Sequence, residues 1–134
     1  MFPFKETFII FMKLNKNDLK AKFEVSFLEE ARDFLDGLGE KERKKIIYNI
    51  DKAKVMNDPE LFKKLTDIVW EFRTLYRNTK YRLLAFWDKE NNKNTLVIVT
   101  HGLIKKKSKV PQTDIDKTED ISKIYFKQKN KKTK

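Results

Sequence analysis

Three apolar stretches, at residues 68–75, 81–87 and 96–103, follow one another with only short polar connections between them. They are rich in the β-branched and aromatic side chains that suit a pleated, half-buried surface, and each has strand rather than helix length. Residues 88–94 are uniformly polar and read as the hairpin loop between the second and third stretch. Residues 76–80 form a tight connection between the first and second. The chain is thereby committed to an antiparallel sheet in its second half, and the remaining segments must pack around that sheet.

Upstream, Phe23, Val25 and Phe27 alternate with Lys22, Glu24 and Ser26, which predicts a short strand. Ser26-Phe27-Leu28-Glu29 then reads as a capping box. Phe27, Ala31, Phe34, Leu35 and Leu38 recur at helical spacing until Gly37 and Gly39 stop the helix. A second helix is predicted over 40–56, with Ile46, Ile47, Ile50 and Ala53 facing inward and Asn57-Asp58-Pro59 ending it. A further turn of helix is expected over 59–65. Pro111 opens a last helix over 113–126, with Ile115, Ile121, Ile124 and Tyr125 as packing residues. The expected fold class is α+β: a small twisted antiparallel sheet, two N-terminal helices on one face and a C-terminal helix. One domain over 22–126 accounts for the pattern, with an N-terminal extension at 1–21 (Met12 is an alternative start) and a disordered basic tail at 127–134.

Charge adds the functional direction. The formal net charge is +11, and it is unevenly placed. Residues 22–69 hold ten Lys/Arg against eleven Asp/Glu, net −1. Residues 71–109 hold ten against three, net +7, and 127–134 add five lysines with no acid. A field of that kind attracts phosphate polyanions, although a merely solvated basic surface has the same composition. With no cysteine and one histidine, thiolate sites and cysteine nucleophiles are excluded, and no metal or other cofactor is expected. No apolar run is long enough to span a bilayer, and the expected location is cytoplasmic.

Arg73 and Arg82 flank the tight connection and share a sheet face if the loop holds an even number of residues. With Arg77 and Lys80 at the rim they would form a phosphate cradle; the competing reading of Arg73 is a structural pair with Glu71. His101 is either a general acid or base, or a strand-end histidine bonded to backbone. Lys105, Lys106, Lys107 and Lys109 follow that strand and are either phosphate contacts or a solvated basic turn. Tyr76 and Tyr125 are the candidates for base stacking, whereas Trp70 and Phe72 read as core.

These residues resemble a known pattern. Val69-Trp70-Glu71-Phe72-Arg73, then Lys80-Tyr81-Arg82, then His101-Gly102-Leu103-Ile104-Lys105-Lys106, then Pro111 and a helix, resemble the RelE/ParE superfamily, most closely its HigB-like, phage-derived branch. The resemblance covers residues 23–126. It implies a type II toxin silenced by a cognate antitoxin, commonly a helix-turn-helix protein. It also implies metal-independent cleavage of mRNA in the ribosomal A site, with the RNA 2′-OH as nucleophile. On this resemblance the catalytic set is Arg82, Lys105, Lys106 and His101, with Arg73, Arg77, Lys80, Lys107, Lys109 and Tyr76 contacting RNA. The terminal-helix tyrosine of RelE-type enzymes has no clear counterpart, since Tyr125 lies late. The alternatives are a non-catalytic, ParE-like DNA gyrase inhibitor and an inactive phage-derived RNA-binding relative.

Overall fold

The computed structural model describes residues 21–89 and 95–132. The expected N-terminal extension, apart from Ala21, and most of the expected hairpin loop at 88–94 lie outside the described residues. Among the described residues, five strands and three helices appear in the order β1 (Glu24–Phe27), α1 (Glu29–Asp36), α2 (Glu40–Val55), β2 (Phe62–Lys64), β3 (Val69–Tyr76), β4 (Thr79–Asp88), β5 (Leu96–Lys105) and α3 (Gln112–Lys132). This is the expected α+β architecture. The sheet order is β1-β5-β4-β3-β2, with β2 through β5 antiparallel and β1 running parallel to β5. The sheet is therefore mixed rather than purely antiparallel.

Strand alternation divides the sheet between two helical layers. One face carries Phe72, Tyr81, Leu83, Ala85, Val97 and Val99, which form the main core with Ala31 and Leu35 of α1 and Ile46, Ile50 and Ala53 of α2. Gly102 lets α1 lie this close: a Cβ there would fall inside the ring of Phe34. Asn49, which the apolar pattern of α2 passes over, is buried and donates from Nδ2 to Thr74 Oγ1 at 3.0 Å. The opposite face belongs to α3. Phe86 meets Tyr125 and Phe126 edge-on at 5.3 and 5.8 Å between ring centroids. Thr118 and Ser122 are buried, and their small side chains allow the helix close to the strands.

Three local expectations are corrected. The helical turn over 59–65 is confined to a turn: the amides of Leu61 and Phe62 donate to Asp58 O, and from Phe62 the chain extends as β2. Phe62 pairs with Phe72 and stacks on it at 4.2 Å, so cross-strand aromatic contact outweighs local helix formation. The capping box does not form. Ser26 is a residue of β1 paired with Ile98, and the N-cap of α1 is Leu28 with no side-chain bond. The helix starts instead with Glu29 and Glu30 in its first turn, where carboxylates meet the positive end of its dipole. Finally, α3 continues to Lys132 where a disordered tail was expected over 127–134, of which residues 133–134 lie outside the described residues. Lysine is a good helix former and suits a helix C-terminus. The extra turns are also anchored, since Tyr125 Oη and Lys129 Nζ both donate to the buried Asp88 Oδ2, at 2.6 and 2.7 Å.

Candidate functional site

The connection between β3 and β4 holds two residues, Arg77 and Asn78, with φ of 48° and 61°. Two successive left-handed residues are the requirement of a type I′ hairpin turn, which matches strand twist. An even loop fixes the register: Arg73 lies directly opposite Arg82, and the two guanidiniums share a face. Like charges placed so would repel, and Glu71 relieves the repulsion. Its Oε1 is 2.9 Å from Arg82 Nε and 3.7 Å from Arg73 Nε.

The two arginines differ in what surrounds them. Arg82 is 3% exposed and Glu71 4%. Arg82 Nη1 also donates to Tyr81 O at 3.0 Å. Burial pulls its pKa below the ordinary arginine value while the Glu71 carboxylate pushes back. Arg73 is half-buried, approaches Glu60 at 3.9 Å, and reaches the surface of a cleft that Arg82 does not line.

That cleft has a volume of about 280 Å³ and opens between the sheet and the start of α3. Its cations are Lys63 from β2, Arg73 from β3, Lys105 from the end of β5 and Lys109 from the following loop. Glu71 contributes the one carboxylate of the lining, Ser108 and Gln112 are its neutral polar residues, and Leu65, Val110 and Ile115 complete it. Burial lowers the Lys105 pKa first, and the charges of Arg82, Lys80 and Arg73 lower it further, with Glu71 opposing. An ammonium held below its ordinary value gives up its proton more readily than a free lysine. A cationic cleft of this volume has room for a phosphodiester group and parts of the sugars it joins.

The remaining expected residues fall elsewhere. Lys106 and Lys107 are exposed on the loop after β5 and do not line the cleft. Lys80 is exposed opposite Lys105 on β4, and Arg77 is exposed at the hairpin tip, its guanidinium 5.1 Å from the Tyr76 ring. Tyr76 packs against the main core, on the sheet face away from the cleft. Tyr125 is engaged by Asp88 and Phe86 near the far end of α3. His101 is 4% exposed, with Nε2 3.0 Å from Asp114 Oδ1 and Nδ1 2.9 Å from Thr100 Oγ1. Both ring nitrogens therefore have side-chain partners, where the strand-end reading expected a bond to backbone.

Lys63, Ser108, Gln112 and Ile115 are cleft residues that sequence reasoning missed. Lys63 was hidden by the misread β2, while Pro111, as a helix opener, was a signal that could have flagged Gln112. Among the described residues no group of three or more His, Cys, Asp or Glu side chains could hold a metal ion, and no helix is long and apolar enough to cross a membrane. The family model described as "Phage derived protein Gp49-like (DUF891)" matches residues 33–123, from within α1 to within α3. No curated protein matches the chain.

Proposed function

The chain belongs to the Gp49-like family of phage-derived proteins, and from that premise we propose that it is the toxin of a type II toxin–antitoxin pair, a metal-independent endoribonuclease that cuts mRNA on the ribosome. The observation that carries this reading is the cleft, with four cations around a space that can take a phosphodiester group. The RelE- and HigB-like motifs of the sequence point the same way.

In this reaction the 2′-OH of one nucleotide attacks the adjacent phosphorus. A 2′-O–P bond forms, the bond to the 5′-oxygen breaks, and a 2′,3′-cyclic phosphate and a free 5′-OH result. Lys105 in its neutral form takes the 2′-OH proton, and the departing 5′-oxygen collects one from a cleft ammonium or water. Arg73, Lys63 and Lys109 face the charge that grows on the non-bridging oxygens, which is where electrostatic stabilisation lowers the barrier. Arg82 acts from behind: with Glu71 it holds Arg73 in register. The partners on this reading are the ribosome with its mRNA, and an antitoxin whose acidic or amphipathic segment complements the cationic face.

The test is primer-extension mapping of cleavage on translating ribosomes, with growth arrest and its rescue by the neighbouring gene product as the cellular readout. Wild type should cut, and should keep cutting after chelation under conditions that leave ribosomes intact. Arg73→Ala and Lys105→Ala should each cut roughly a hundredfold more slowly. A wild type that never cuts but stalls replication would move the protein to gyrase inhibition. Normal growth at high expression would remove the toxin role.

A further inference from the structure

Thr100 and His101 are consecutive residues of β5, yet both reach α3. Plain alternation would send them to opposite faces. A bulge between Leu84 and Ala85 in the β4–β5 pairing prevents this: Leu84 pairs with His101 and Ala85 with Val99, leaving Thr100 as the extra residue. Thr100 Oγ1 consequently lies 3.1 Å from Thr118 Oγ1, and His101 Nε2 lies 3.0 Å from Asp114 Oδ1, one helical turn earlier. The cluster closes on itself. Thr100 Oγ1 and His101 Nδ1 are 2.9 Å apart, and the Thr118 hydroxyl donates to Asp114 O at 3.1 Å. Thr100, His101 and Thr118 are all buried.

We propose that this cluster is a latch that positions the cationic cleft, and that His101 and Asp114 act through it without touching RNA; the proposal rests on the cleft being the RNA site. The chain between the two latch residues contains Lys105, Lys109 and Gln112, all of which line the cleft. Strand pairing fixes one end of that stretch at Lys105, and the His101–Asp114 bond fixes the other by holding the first turn of α3. Without the latch the lysines still attract RNA, because attraction over several ångströms tolerates small displacements. Transition-state contact does not, since a shift of about 1 Å costs up to about a hundredfold in rate. The latch therefore acts on kcat more than on KM.

The experiment compares wild type with Asp114→Ala, Asp114→Asn, His101→Gln and the double variant His101→Gln/Asp114→Ala. It measures kcat and KM for cleavage, and amide hydrogen exchange of the folded proteins. Asp114→Ala and His101→Gln should each lower kcat roughly tenfold or more, with KM changed less than about threefold. The double variant should be no slower than the worse single one, because all three break the same bond. Asp114→Asn keeps an acceptor oxygen and should recover most of the rate. Exchange should quicken at residues 105–115 in Asp114→Ala while the sheet stays protected. Wild-type kcat in Asp114→Ala would overturn the latch, as would a His101→Gln loss that Asp114→Ala does not share, which would place His101 in the chemistry itself. A wild type with no cleavage refutes the RNase reading separately. Hydrogen exchange then decides the latch alone: faster exchange confined to 105–115 supports it, and unchanged exchange overturns it.

Discussion

Arg73 and Arg82 are the same residue type, on the same face, directly across from one another, and they should respond to mutation in opposite ways. Removing Arg82 leaves Glu71 buried at 4% exposure without its nearest cation. Breaking a buried pair from one side costs about 3–5 kcal/mol. Arg82→Ala should therefore lower the melting temperature by many degrees and lose activity through the fold. Arg73→Ala should melt close to wild type and lose activity at the cleft, and thermal melts beside cleavage assays separate the two. Equal melting temperatures for both variants would remove the support role of Arg82. Lys80 offers a test of Lys105 on its own terms. Burial first, and neighbouring cations with it, depress the Lys105 pKa, so Lys80→Ala removes one such charge and raises it. If neutral Lys105 is the base, the rising limb of the pH–rate profile should move to higher pH in Lys80→Ala. A limb that stays in place excludes Lys105 as the titrating group.

At the scale of elements, α1 and α3 are fixed to the sheet by different devices. α1 depends on the missing side chain of Gly102, into whose space the Phe34 ring fits. Gly102→Ala should destabilise by about 1–3 kcal/mol, the range for overpacking, as measured by denaturant unfolding. Combining it with Phe34→Ala should cost less than the sum of the two single changes, since the clash then has no second party. Additive costs would show that the close approach carries no strain. α3 is fixed near its start by the Asp114 bond and near its end by Asp88, which receives Tyr125 and Lys129. Tyr125→Phe should cost about 1 kcal/mol, the net value of a hydrogen bond, and loosen the last turns preferentially. Helix existence was legible in the 3.6-residue patterns of α1 and α2. The far end of α3 was not, because its lysines look like tail until a buried aspartate on β4 supplies a partner.

The whole molecule is a sheet clad on both faces, with one apolar interface against α1 and α2 and a more polar one against α3. The cleft lies at the edge of the polar interface and draws on β2, β3, β5 and α3 together. Its cations, with the exposed Lys106 and Lys107 beside them, should make RNA affinity depend on salt. If about three phosphate charges are neutralised, log K should fall with log salt at a slope of about −2 for a single strand. Binding of a non-cleavable RNA across a salt series measures this, and replacing Lys106 and Lys107 together with alanine should flatten the slope by about 1. A slope unaffected by that change would mean that the exposed lysines do not meet the backbone.

The sequence by itself determined β1, β3, β4 and β5 and the two amphipathic N-terminal helices, and it gave the shared face of Arg73 and Arg82 on the condition of an even loop. The elements follow from short-range periodicity, and the structure met the condition with a two-residue turn. Burial, by contrast, was settled only in three dimensions. Residue types place Arg82, His101 and Lys105 within or at the end of strands in the basic second half of the chain, and nothing local distinguishes their burial. In the fold Arg82 is enclosed with Glu71, the bulge at Thr100 turns His101 toward Asp114, and β2 brings Lys63 into the cleft with Arg73. Each of those outcomes depends on contacts between residues far apart in the chain, so the identity of a charged residue was legible in the sequence while its access to a ligand was decided by the tertiary structure.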